Sequence, residues 1–162
     1  MKNKTLWKQV GAAAIAAAMV MSTVPATPVQ AAGGKTLAVS SQKQLNQALK
    51  TVKGKNAVIT VKAGKNVKIT IPKGTYKVTI RVVGKKAAVV NNGTVKEIVV
   101  NSKGTVAIKN NGTIKKVTVQ NAKSVSFSGN HKKAVPVVVN AEDVSMILAA
   151  PAKITAKKDV NI

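Results

Sequence analysis

From Val58 onward, apolar and polar residues alternate in short runs, and each run ends in Asn, Gly, Lys or Ser. Period-two runs bounded by turn formers predict β-strands with one apolar face. The runs also recur. "KGTYKVTI" from Lys73, "NNGTVKEIVV" from Asn91 and "NNGTIKKVTV" from Asn110 place Gly74, Gly93 and Gly112 at a constant interval of 19 residues. Aligned on these glycines, Tyr76, Val95 and Ile114 share a column. The pairs Val78 with Ile80, Ile98 with Val100 and Val117 with Val119 make the next columns. A second strand follows in each unit: Ala87 with Val89, Val106 with Ile108, and Val125 with Phe127.

One such unit offers too little partner surface to bury its own apolar face. If each unit makes a complete coil, equivalent residues stack about 4.8 Å apart and the apolar columns join into one interior. The expected fold is therefore all-β: a single-stranded parallel β-solenoid with rungs of about 19–20 residues. Upstream, Val58 with Thr60 and Val67 with Ile69 extend the columns; downstream, Val137 with Val139 and Val144 with Met146 do so, and "APAKITAKKDVNI" supplies a last, partial rung. Asn91 with Asn110, Asn92 with Asn111, and Asn101, Asn121 and Asn140 mark recurring corners. There Asn tolerates a left-handed backbone and stacks its amides along the axis.

In "VSSQKQLNQALKTVKGK" the spacing changes. Leu45, Ala48, Leu49 and Val52 recur at helical intervals, Ser40 or Ser41 can cap the start, and Gly54 can end it. This short helix is expected to cover the first rung, whose open strand edges would otherwise invite aggregation. Ahead of it, Lys2, Lys4 and Lys8, an Ala-rich apolar run and small residues around Val29-Gln30-Ala31 form a secretory signal peptide, too short to span a bilayer as a helix. The organisation read from the chain is thus a signal peptide over 1–32, a linker and capping helix over 33–54, and solenoid repeats over 55–162. A secreted product, extracellular or associated with the cell wall, is expected.

Composition then narrows the function. The chain contains no cysteine, which excludes disulfides and thiolate metal sites. Its net charge is +23, and loss of the three leader lysines leaves about +20, almost all of it lysine since Arg81 is the one arginine. Such a surface attracts polyanions. Beyond the leader only Tyr76 and Phe127 are aromatic, too few for a module that grips sugars through stacking platforms or single-stranded nucleic acid through base stacking, so no specific nucleic-acid partner is expected. The lysines that fall into register are Lys77, Lys96 and Lys115, with Lys116 beside them opposite Glu97. We expect these four to contact an anionic polysaccharide or wall polymer. Solubilising the exterior is the competing role for the same residues. Monomers or end-to-end assemblies both fit this surface.

The passage "LAVSSQKQLNQALKTVKGKNAVITVKAG" followed by "IPKGTY" resembles the start of right-handed parallel β-helix proteins of the pectate-lyase-like superfamily. In them a capping helix leads to a strand and a Gly-x-Tyr turn. The resemblance covers residues 37–80 and implies secreted, carbohydrate-directed chemistry through clustered carboxylates. This chain departs from that pattern, since its rungs are shorter and its four acids, Glu97, Glu142, Asp143 and Asp159, do not fall on one face of the repeat. A surface pair Glu97–Lys116 is the expected role for the first of them. His131, without a second His or any Cys, is expected to be a solvated turn residue, and Ser124, Ser126 and Ser128 lack a nucleophile motif. Thr60, Thr79 and Thr118 are expected in one outward column, interrupted by Val99 and Val138, which does not make an ice-binding array. The sequence therefore points to a non-enzymatic module without cofactor or metal. A diverged polyuronate-lyase-like protein and a ligand-free spacer or adhesin stub are the alternatives.

Overall fold

The computed structural model describes residues 35–64, 66–157 and 160–161; the signal-peptide expectation and Asp159 lie outside them. All strand pairings within them are parallel. The first strand, β1 (Lys35–Val39), precedes the helix α1 (Gln42–Thr51), so part of the expected linker pairs with the sheet. Then come β2 (Ala57–Ala63), β3 (Val67–Ile71), β4 (Thr75–Asn91) and β5 (Thr94–Asn110). The chain continues through β6 (Thr113–Ile114), β7 (Val117–Asn121), β8 (Ser124–Ser128), β9 (Val135–Val139), β10 (Val144–Leu148), β11 (Ala152–Ala156) and β12 (Val160–Asn161).

One face of the coil stacks β1, β2, β4, β5, β7, β9 and β11 in chain order; a second stacks β3, β4, β5, β8, β10 and β12. The strands β4 and β5 run through a corner and serve both faces. A narrow third edge is formed by Thr75–Tyr76, Thr94–Val95 and β6. The fold is a parallel β-solenoid of about six turns with one short helix near its N-terminal region. Its interior is a single shaft: Ile80, Ile98 and Val117 on one face and Ile69, Val89, Ile108 and Phe127 on the other are essentially removed from solvent.

The constant interval of 19 is a property of the glycine corners and not of every strand. Thr75 opposes Thr94, but Ile80 opposes Ile98, because β4 spends an extra residue at Lys77–Val78; β5 restores the count between Ser102 and Thr105. Elsewhere Ala57 opposes Val78, Val117 opposes Val137, and Val137 opposes Ile154. The columns expected from a rigid interval shift accordingly. Ile80 with Val82, not Val78 with Ile80, continues Ile98 with Val100; Ile59 and Val61, not Val58 and Thr60, precede them. Met146 and Leu148 continue Val125 and Phe127, two residues later than expected for Val144 and Met146. Thr79 leaves the proposed threonine column, which instead runs Thr60, Arg81, Val99, Thr118, Val138, Thr155. The first four of these are buried, although they alternate with shaft residues.

The corners owe their regularity to side-chain ladders and close backbone contact. Asn91 and Asn110 are fully buried, and Asn91 Nδ2 donates to Asn110 Oδ1 at 2.8 Å and to the Gly93 carbonyl at 2.9 Å. Outside them, Asn111 Nδ2 donates to Asn92 Oδ1 at 3.0 Å. The left-handed backbone expected at these asparagines does not occur: among the described residues the one non-glycine with positive φ is Asp143. Gly93 and Gly112 are needed for approach, since an added Cβ would stand 2.5 Å from the Pro72 oxygen and 2.2 Å from the Gly93 oxygen respectively.

Candidate functional site

The helix closes the second face at its first coil. Ser41 caps α1 by accepting a hydrogen bond from the Gln44 amide, and Leu45, Ala48, Leu49 and Val52 are buried against the strands. The next strand, β3, lacks a preceding β-neighbour on that side among the described residues. There Gln42 acts as a substitute peptide: its Nε2 donates to the Thr70 carbonyl at 2.8 Å, and its Oε1 accepts from the Thr70 amide at 2.6 Å. Both backbone groups that would have met another strand are satisfied by one side chain. Nothing in the sequence pattern pointed to Gln42.

Lys77, Lys96 and Lys115 directly follow the triplet Tyr76, Val95, Ile114, whose register is continuous through three coils, and all three lysines are exposed. Strand spacing puts Lys96 and Lys115 about 4.8 Å apart at the backbone. The bulge at Lys77–Val78 falls at the row's first member. There Lys77 joins Lys35, Lys55, Thr51 and Asn56 around a cleft of about 680 Å³, so the row leads into a second group of lysines from β1 and the turn after α1. Among the described residues no acidic side chain lines that cleft.

Lys116 is placed differently. Its Nζ lies 3.7 Å from Glu97 Oε1, the ion pair expected from the alignment, and the same oxygen accepts a hydrogen bond from Thr118 Oγ1. With Lys116 about half exposed, such a pair contributes at most about 1 kcal/mol. Its charge is thus partly committed to Glu97, whereas the row of three is turned to solvent.

His131 is not a solvated turn residue. Nδ1 lies 3.1 Å from the Asn110 carbonyl, Nε2 lies 2.9 Å from the Pro151 carbonyl, and the ring meets Phe127 edge-on at 5.2 Å between centroids. It straps two coils together, a role invisible without the coordinates because its partners are backbone oxygens 20 and 21 residues away.

Among the described residues there is no group of three or more His, Cys, Asp or Glu able to hold a metal ion, and no helix long and apolar enough to cross a membrane. Ser124, Ser126 and Ser128 alternate with the buried Val125 and Phe127, as strand-face residues do. Compared with known protein families, curated proteins and solved structures, the chain matches none.

Proposed function

We propose that this protein is a secreted, non-enzymatic envelope module that holds an anionic glycan or wall polymer along its lysine row. The observation that supports this reading is the exposure of Lys77, Lys96 and Lys115 directly after the registered triplet Tyr76, Val95, Ile114 on three successive coils, with Lys77, at the bulge, sharing the cleft with Lys35 and Lys55. A row with one cation per coil matches a linear polyanion better than a compact ligand. Several weak contacts along one chain add through effective concentration. The excess of lysine over acid argues against a purely solubilising role, because mixed charges would solubilise with less self-repulsion.

Kinship with the pectate-lyase-like superfamily is the second reading, supported by the helix-capped first coil and the parallel stacking. It predicts unsaturated products from acidic polysaccharides. The deciding experiment for the first reading is retention of the protein on purified wall polymer or polyuronate as salt is raised. Retention that is lost near half-molar salt, and lost at low salt in a Lys77→Glu/Lys96→Glu/Lys115→Glu variant with an unchanged circular dichroism spectrum, supports it. Retention indifferent to both overturns it.

A further inference from the structure

The third edge of the solenoid starts one coil late. Thr75 and Tyr76 pair with Thr94 and Val95 on one side, and among the described residues no strand pairs with them on the other. Where that strand would lie, the last turn of α1 stands off from the corner Pro72–Tyr76. The space between them is a notch of about 480 Å³, lined by Asn46, Leu49, Lys50 and Lys53 from the helix side and by Lys73 and Tyr76 from the corner.

Its walls differ from the lysine row in kind. Leu49, almost wholly buried, closes the floor of the notch, and the exposed Pro72 gives it an apolar flank. The Tyr76 ring rests on glycine backbone: a Cβ at Gly74 would meet its hydroxyl at 2.8 Å, and one at Gly93 would meet Cε2 at 3.1 Å. Its hydroxyl donates to the Lys73 carbonyl at 3.3 Å, which fixes the ring further. Three exposed lysines, Lys50, Lys53 and Lys73, border the same space, and among the described residues no acid does. A fixed aromatic ring beside an apolar flank suits the CH-rich face of a sugar, and a cationic border suits one negative substituent on it. Asn46, whose Oδ1 already accepts from Gln42 Nε2 at 2.9 Å, adds an amide nitrogen that can donate to hydroxyls. The C-terminal end of the helix carries partial negative charge, which works against an anion there. The three lysines more than compensate in sign.

We propose that this notch binds one anionic pyranose unit, with the sugar ring against Tyr76 and the charged substituent toward Lys50, Lys53 and Lys73. This deepens the reading that the partner is an anionic glycan. It adds a place where a sugar is recognised as a sugar, whereas the row responds to charge alone.

Tyr76 is the only tyrosine of the chain, so its ring-proton NMR signals are identified without ambiguity and report on the notch. The full chain is titrated with glucuronate and with glucose 6-phosphate, and with glucose and inorganic phosphate as controls. At least one anionic sugar shifts the Tyr76 signals saturably, with an apparent affinity roughly tenfold above either control. Response to glucuronate alone assigns a carboxylate ligand, response to glucose 6-phosphate alone assigns a phosphorylated one, and response to both assigns any anionic pyranose. Lys50→Ala/Lys53→Ala weakens the response roughly tenfold. Tyr76→Phe, followed through the signals of its own ring, keeps it within about threefold because stacking survives. Equal response to glucose or to inorganic phosphate overturns the proposal, as does no response to either anionic sugar or an undiminished response in the double variant. Lys96→Ala/Lys115→Ala separates the two readings: it lowers retention on polymer and leaves the Tyr76 response intact. Loss of the notch response with polymer retention preserved defeats this inference without touching the row.

Discussion

At the residue scale, the structure assigns the sharpest role to a side chain that lies on no apolar pattern. Gln42 answers both the amide and the carbonyl of Thr70, so Gln42→Ala leaves two part-buried backbone groups without partners. Urea unfolding is expected to show a loss of about 1–3 kcal/mol. Gln42→Glu, isosteric but unable to donate to the carbonyl, is expected to lose part of that. Asn91 is the second case. Its amide donates along the axis to Asn110 and across the corner to Gly93, so Asn91→Ala removes both bonds from a fully buried position and is expected to destabilise by a similar amount in the same assay. Gly112→Ala tests close approach in isolation, since the added methyl would press on the Gly93 backbone; overpacking of this kind costs about 1–3 kcal/mol, measured as a lower urea midpoint. The recurrence of Asn and Gly and the stacking of the Asn amides along the axis were legible in the sequence; the backbone conformation at these corners was not. Turn chemistry predicts left-handed asparagine, whereas the coils use asparagine as a ladder and glycine as a gap. A ladder is a contact between residues 19 apart, and only the register of the strands brings such residues together.

At the scale of the element, α1 was readable almost to its ends. Ser41 caps it, its buried residues are the ones that fall at helical spacing, and it lies on β3 and β1 as a lid on the first coil. Removal of residues 33–54 also removes β1, exposing an edge of β2 together with Thr70. The expected outcome is insoluble protein on expression; a soluble monomer with unchanged β-sheet signal by circular dichroism would show the lid to be dispensable. The strands were legible as strands and misplaced as columns. Periodicity fixes which residues of a run face inward relative to one another, but a bulge such as that at Lys77–Val78 moves the partner by one without disturbing the run. Val78 stays buried after this shift and Val58 is only half-buried; the first face was read correctly from β5 to β9 and slipped at β2 and β4, while the second was read correctly from β3 to β8 and slipped at β10.

At the scale of the molecule, the charge pattern belongs to the coil. The sequence places one lysine after the same corner in three turns, because a fixed interval is visible in one dimension, but it does not show the bulge that takes Lys77 out of register with Lys96. The notch beside Tyr76 could not be placed in that way. Its lysines come from the end of α1 and from the corner after β3, and the missing strand that creates it is an event of topology. The shaft predicts a cooperative response to core damage: Phe127→Ala, in the column that runs from Val89 through Ile108, is expected to lower stability by about 3–5 kcal/mol in urea titration.

The unequal lengths of the turns carry a further lesson about how such a molecule can change. Partners on one face stand 21 residues apart at Ala57 and Val78 but 17 apart at Val137 and Ile154, with the interior filled at all four positions by aliphatic side chains. Surplus chain is therefore absorbed at the bends, where it disturbs neither the hydrogen-bond ladders nor the packing they enclose. New segments grafted at such bends, between the exposed Lys132 and Ala134 for instance, past the strap at His131, would be displayed outward from an undisturbed axle, which makes the molecule a scaffold on which recognition can be varied bend by bend.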